Sequence, residues 1–162
     1  MNSKSASVLV IESHPLMREA LLAAITGEPG LELTSQPEYD VEEFNLEIPT
    51  RNDVIQLSSK PDIVLLDLDS PEMAEMETIK LLRKSLPDTA ILALTSSETA
   101  GENQAALDAG AQLVLSKTEP KKALLRALHS LKAYRFDAQK TAFENQTDDH
   151  FLGSEASLPQ CK

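Results

Sequence analysis

Four polar side chains each follow an apolar run, and their types form a coherent chemical set. Glu12 follows Ser7-Val8-Leu9-Val10-Ile11, and Asp67 follows Ile63-Val64-Leu65-Leu66. Thr95 follows Ala90-Ile91-Leu92-Ala93-Leu94, and Lys117 follows Gln112-Leu113-Val114-Leu115, with Ser116 between. A carboxylate pair, a hydroxyl and a fixed ammonium outline a phosphoryl-transfer site. One carboxylate is the nucleophile, a metal position lies beside it, and the donors meet the equatorial oxygens. Asp67 is the centre of the set, as candidate nucleophile or metal ligand. The plainer alternative is an Asp that caps the turn at Leu68-Asp69-Ser70-Pro71.

These residues meet only if the apolar runs are strands of one sheet. Ile63 to Leu66 shows no polar alternation, which predicts a strand covered on both faces, as in a parallel sheet flanked by helices. Chemistry in such sheets sits at the carboxyl ends of the strands. The intervening segments read as the required helices. The first starts at Pro15, where a missing N–H costs nothing, and stops near Gly27. Leu31-Glu32-Leu33 is a short strand at a sheet edge. A short helix is expected over 53–57. Others are expected from Glu75 to Leu86, from Glu98 to Ala109 with Gly110 as cap, and from Glu119 to about Tyr134. The alternation predicts an α/β, three-layer, doubly wound, five-stranded parallel sheet.

Composition narrows the function. Apolar residues make up 41% of the 162 residues and aromatics only 4%, so Leu, Ile, Val and Ala must build the core. A net charge of −11 opposes binding to nucleic-acid phosphates. Cys161 is the single cysteine, so no intrachain disulfide forms, which fits a reducing cytoplasm. No run reaches membrane-spanning length. Residues 36–50 form an acidic insertion with Glu38, Asp40, Glu42, Glu43 and Glu47 and no base. Phe44, Leu46 and Ile48 alternate with polar residues inside it.

Val8-Leu-Val-Ile-Glu-Ser-His-Pro-Leu-Met-Arg-Glu-Ala-Leu21, Pro61-Asp-Ile-Val-Leu-Leu-Asp67, Ile91-Leu-Ala-Leu-Thr95, Ala109-Gly-Ala111 and Ser116-Lys117 occur in that order. This succession resembles the receiver domains of bacterial two-component response regulators, in the flavour that precedes a LuxR/NarL-like helix-turn-helix. The resemblance covers about residues 7–133 and implies a flavodoxin-like strand order 2-1-3-4-5. It implies Asp67 as phospho-acceptor, Thr95 as the phosphoryl-binding switch hydroxyl and Lys117 as the cation that pairs with the acyl phosphate. It also implies Mg²⁺, here weakly held by Glu12, Asp67 and Asp69. The implied partners are a histidine kinase or phosphotransfer protein and an unidentified output protein; a homodimer would add a second copy.

Departures from the pattern mark an atypical member. The second acid after the first strand is Ser13, a poor ligand for hard Mg²⁺. The Met before Pro71 is Ser70, and the Gly-rich step after it reads Glu72-Met73-Ala74-Glu75. The aromatic switch position of the fifth strand is Val114. These changes raise the alternative of a phosphorylation-independent adaptor with an eroded metal pocket. The receiver unit is expected over 1–135. A polar tail over 136–162 is expected to continue the last helix for a turn or two and then lose order. It is too short and acidic for the expected helix-turn-helix output module. Asp67-Leu68-Asp69 also imitates the opening of haloacid-dehalogenase-like phosphohydrolases. Pro71, the strand-helix-strand unit before the motif, and the absence of an apolar strand before Asp148-Asp149 oppose that reading.

Overall fold

The computed structural model describes residues 4–34, 60–69, 75–97 and 99–148. The elements run β1 (Ala6–Ile11), α1 (Pro15–Ile25), β2 (Leu31–Leu33), β3 (Ile63–Asp67), α2 (Glu75–Ser85), β4 (Ala90–Thr95), α3 (Ala100–Ala109), β5 (Leu113–Ser116) and α4 (Lys121–Asp148). All five strands pair in parallel, in the order β2-β1-β3-β4-β5. The expected order and the edge position of β2 are therefore present.

The uninterrupted apolar runs explain the layering. Every residue of β3 and β4 is buried, because both faces of these central strands are covered. Val8, Val10, Ile63, Leu65, Leu92 and Leu94 pack on one face against Leu21 and Ile25 of α1 and Leu124, Leu128 and Leu131 of α4. Leu9, Val64, Leu66, Ile91 and Ala93 pack on the other against Ile79 and Leu82 of α2 and Ala106 of α3. Burying one Leu or Ile side chain contributes about 1.5–3 kcal/mol before chain entropy opposes it. Strand β5, at the edge, is only half-buried along its length.

Turn chemistry sets the helix ends. His14 is the N-cap of α1, its Nδ1 accepting from the Met17 N–H at 3.5 Å, with Pro15 at the first helical position. Gly110 ends α3 with φ of +123°, and a Cβ there would lie 3.3 Å from Arg83 Cγ. Both the left-handed backbone and the close approach call for glycine.

Helix α4 outruns its sequence expectation, continuing through Asp148, about three turns beyond Asp137. The apolar stripe fades there, but Ala138-Gln139-Lys140-Thr141-Ala142 is mostly strong helix formers, and no Gly or Pro intervenes before Gly153. Residue-type propensity is the sequence feature that accounts for the continuation. The acidic insertion 36–50, the expected helix over 53–57, the loop 70–74 and Glu98 lie outside the described residues. Among the described residues, no helix is long and apolar enough to cross a membrane.

Candidate functional site

The parallel register brings the expected side chains to one rim. Asp67 closes β3 opposite Leu94, and Thr95 closes β4 opposite Ser116, one residue before Lys117. The Lys117 N–H donates to the Thr95 carbonyl at 2.9 Å, so the ladder continues one step past β5 and fixes where the lysine leaves the sheet. The Leu68 N–H donates to the Leu94 carbonyl at 2.9 Å and does the same beyond β3.

Asp67 is 4% exposed. Its Oδ1 accepts from the Asp69 N–H at 2.9 Å and meets the Lys117 ammonium directly. Glu12 is equally buried, and its Oε1 accepts from the His14 N–H at 2.9 Å. That bond folds the side chain back over the turn between β1 and α1. The Lys117 ammonium lies 3.7 Å from Glu12 Oε2 and 2.9 Å from Asp69 Oδ2. One ammonium therefore serves three carboxylates.

The electrostatics follow from that imbalance. Burial pushes the Glu12 carboxyl up to about 7. The His14 N–H and Lys117 oppose the shift, while adjacent Asp67 adds to it, since only a protonated Glu12 can hydrogen-bond to that carboxylate. For Lys117, burial favours the neutral amine, but hydrogen bonds to Asp67 and Asp69 outweigh it and raise the pKa. Burial likewise pushes Asp69 up, but the Ser96 N–H, Lys117 and the Ser96 hydroxyl outweigh it, and the net shift is downward.

Asp69, expected as a weak metal ligand, turns its carboxylate toward donors on the neighbouring strand ends. Its carboxylate accepts from the Ser96 N–H at 2.8 and 3.0 Å, the Ser96 hydroxyl at 2.7 Å and the Thr95 hydroxyl at 3.3 Å, besides Lys117. Among the described residues no cluster of three or more His, Cys, Asp or Glu is arranged to hold a metal ion. Besides Asp69, the candidates for an Mg²⁺ site are Glu12 and Asp67. They fit a hard cation in donor type, and Glu12 Oε2 is a buried oxygen with no hydrogen-bond partner. Ser13 lines the same open cavity of about 530 Å³ as Asp67, Asp69 and Lys117, walled on one side by Leu16 and Met17 of α1. Val114 sits in β5 opposite Ala93, half-buried against the α2–α3 side of the core.

Ser96 is the site residue that the sequence reading passed over. It was visible only as part of Thr95-Ser96-Ser97, a run of small hydroxyl residues just past a strand end. Such a run offers N–H and O–H donors to whatever the preceding strands present. His129 pairs with Glu28 at 2.9 Å.

Comparison with known proteins agrees with this geometry. Residues 8–129 match the family model described as the response regulator receiver domain. A nitrate/nitrite response regulator homolog of Haemophilus influenzae is 30% identical over 114 residues, covering 70% of this chain and 50% of that protein. Nitrate/nitrite response regulator NarL of Escherichia coli is 30% identical over 132 residues, covering 82% of this chain and 57% of that protein. The chain thus spans about half the length of the curated relatives it matches. The crystal structure of a LuxR-family two-component response regulator from Aurantimonas sp. SI85-9A1 superposes with a TM-score of 0.66 at 23% identity, over 88% of this chain and 99% of that one. Fold, rim and sequence together place the chain in the response regulator receiver domain family of two-component systems.

Proposed function

We propose that this chain accepts a phosphoryl group on Asp67 in a phosphorelay, and that it is an atypical receiver with a reduced metal site. The observation that carries the reading is the buried Asp67 carboxylate, gripped by Lys117 at the end of β3, with Glu12 and Thr95 on the flanking strands. The donor is a phosphohistidine on a histidine kinase or phosphotransfer protein. An Asp67 oxygen attacks phosphorus, the O–P bond forms, the N–P bond breaks, and the released imidazole takes a proton from water. Lys117 offsets charge on the acyl phosphate, and Thr95 offers a hydroxyl to its oxygens. Mg²⁺, held by Glu12 and Asp67, would neutralise part of the charge on the incoming phosphoryl dianion.

The receiver unit is assigned to 1–135, with 36–50 as an acidic insertion and 136–162 as a polar tail; a family match ending at residue 129 supports that division. An output protein that reads the phosphorylated form completes the relay in the cytoplasm. The second reading is a phosphorylation-independent adaptor. What favours it is that position 13 holds a neutral Ser while the Asp69 carboxylate is already engaged by Ser96.

Intact-mass measurement after incubation with phosphoramidate and Mg²⁺ tests the acceptor. The wild type should gain one phosphoryl mass and Asp67→Asn none. Label on the Asn variant would remove Asp67 from the chemistry, and an inert wild type would favour the adaptor.

A further inference from the structure

The Asp69 carboxylate has an unusual set of partners for a side chain two residues beyond the acceptor. It collects the Ser96 N–H and hydroxyl, the Thr95 hydroxyl and the Lys117 ammonium. Those donors come from the ends of β4 and β5 and converge beside Asp67. A phosphoryl group on Asp67 brings oxygens with nearly two negative charges and needs that kind of set: a cation, a hydroxyl and a backbone N–H. A carboxylate is a planar, singly charged imitation of the same ligand. We propose that Asp69 is a tethered competitor of the phosphoryl group, occupying the donors that an acyl phosphate on Asp67 would take. This inference rests on Asp67 being the acceptor.

Three features support competition over simple bracing. First, the same ammonium bonds Asp67 and Asp69, so a phosphoryl group that recruits Lys117 must share it with Asp69 or displace it. Second, the Asp69 N–H is separately anchored on Asp67 Oδ1 at 2.9 Å. The backbone stays in place while the side chain is free to rotate about its own bonds. Third, Asp69 is 29% exposed in its side chain, so a displaced carboxylate has solvent to enter, unlike the buried Glu12. The consequence is a receiver whose β4–α3 turn is gathered inward before any phosphoryl group arrives. Phosphorylation then exchanges one anion for another.

The test compares wild type, Asp69→Ala, Asp69→Asn and Asp67→Asn with phosphoramidate and Mg²⁺, following label by intact mass. Removing a charge-assisted competitor should speed labelling of Asp69→Ala roughly 10- to 100-fold. Asp69→Asn should fall between, since an amide still accepts from Ser96 but binds Lys117 weakly. Removing a nearby negative charge also helps an anionic donor approach, so a second readout is needed. The Ser96 amide, followed by NMR hydrogen exchange, should be protected in the wild type and lose protection in Asp69→Ala. It should regain protection when beryllofluoride binds the variant. Faster labelling with that pattern supports competition. Equal or slower labelling of Asp69→Ala beside a labelled wild type overturns competition and leaves the acceptor reading intact. A Ser96 amide unchanged by the substitution also overturns it. If neither protein is labelled, the acceptor reading fails and this inference falls with it.

Discussion

At the amino end of the sheet, Asp62 Oδ2 accepts from the Ser7 N–H and hydroxyl at 2.9 and 3.0 Å, and the Asp62 N–H returns a bond to Ser7 Oγ at 2.9 Å. At the carboxyl end, Glu12 is buried with an oxygen that has no hydrogen-bond partner, and three carboxylates share one ammonium. The amino end continues in the same manner around Arg83. Its guanidinium donates to the carbonyls of Pro87, Thr89 and Gly110 and to Gln112 Oε1, at 2.8 to 2.9 Å. Gln112 Oε1 accepts in turn from the Ile91 N–H at 2.6 Å. At the amino end the polar groups largely complete each other, with Arg135 Nε, 4.0 Å from Asp62 Oδ1, the exception; at the carboxyl end they are left in excess of one sign. Both ends rest on the same buried strands, so the difference does not come from the core. Local satisfaction fastens the turns at the amino end. Unspent negative charge at the carboxyl end leaves work for a cation or a proton.

Breaking the fastened end should have the largest effect. Arg83→Ala removes a donor from three carbonyls and from Gln112, and it frees the turns before β4 and β5 together. Stability should fall by about 2–4 kcal/mol, read by urea denaturation, with little change in Asp67 labelling per folded molecule. A loss below about 0.5 kcal/mol would mean that water replaces the arginine without penalty and that the contrast between the two ends is overdrawn.

The unsatisfied end should respond to pH. The unfolded chain titrates Glu12 near 4.5 and the folded chain near 7. Between those values the folded state binds the extra proton. Its contribution is fully present below about 4.5 and is lost as pH rises through about 7. In chelator, stability should fall on the order of 2 kcal/mol from pH 5 to pH 8. Glu12→Gln, which cannot ionise, should flatten that slope. An unchanged slope in the Gln variant would place the titrating group elsewhere.

The contrast also explains what the sequence could and could not reveal. Glu12, Asp67, Thr95 and Lys117 were legible because each ends an apolar run, and parallel strands bring their ends together whatever the loops do. The use of Asp69 was not legible. Its backbone position follows from Asp67, but its rotamer depends on donors from two other strands. Nothing in the sequence sets Arg83 apart within the helix expected from Glu75 to Leu86. Its role depends on the carbonyls of Pro87, Thr89 and Gly110, which carry no residue-type signal, and the last of these and Gln112 are distant in sequence. The long α4 was hidden for another reason: past Asp137 the apolar periodicity of the sequence fades, and only the helix-forming residue types mark its continuation.

The smallest predicted effect probes the proposed metal pocket at Ser13. Ser13 lines the cavity beside Asp67, Asp69 and Lys117, where a polar neutral side chain stands next to carboxylates already in excess. Ser13→Asp adds a further negative charge there. In chelator this should cost about 1 kcal/mol, because the new carboxylate lies near Glu12 and Asp67 with only Lys117 to offset them. With Mg²⁺ the sign should reverse. A unit charge about 4 Å from a cation gains on the order of 4 kcal/mol per cation charge at an effective dielectric near 20, before desolvation and mutual repulsion of the carboxylates are subtracted. A net tightening of roughly tenfold is the expected remainder, read by calorimetric titration. Thermal melts in chelator and in Mg²⁺ separate the two contributions. If the variant melts as the wild type does in chelator and binds Mg²⁺ no better, position 13 does not reach the pocket electrostatically. If the wild type already binds as tightly as the variant, Glu12 and Asp67 suffice, and the excess charge at this end is matched to the ion without a third carboxylate.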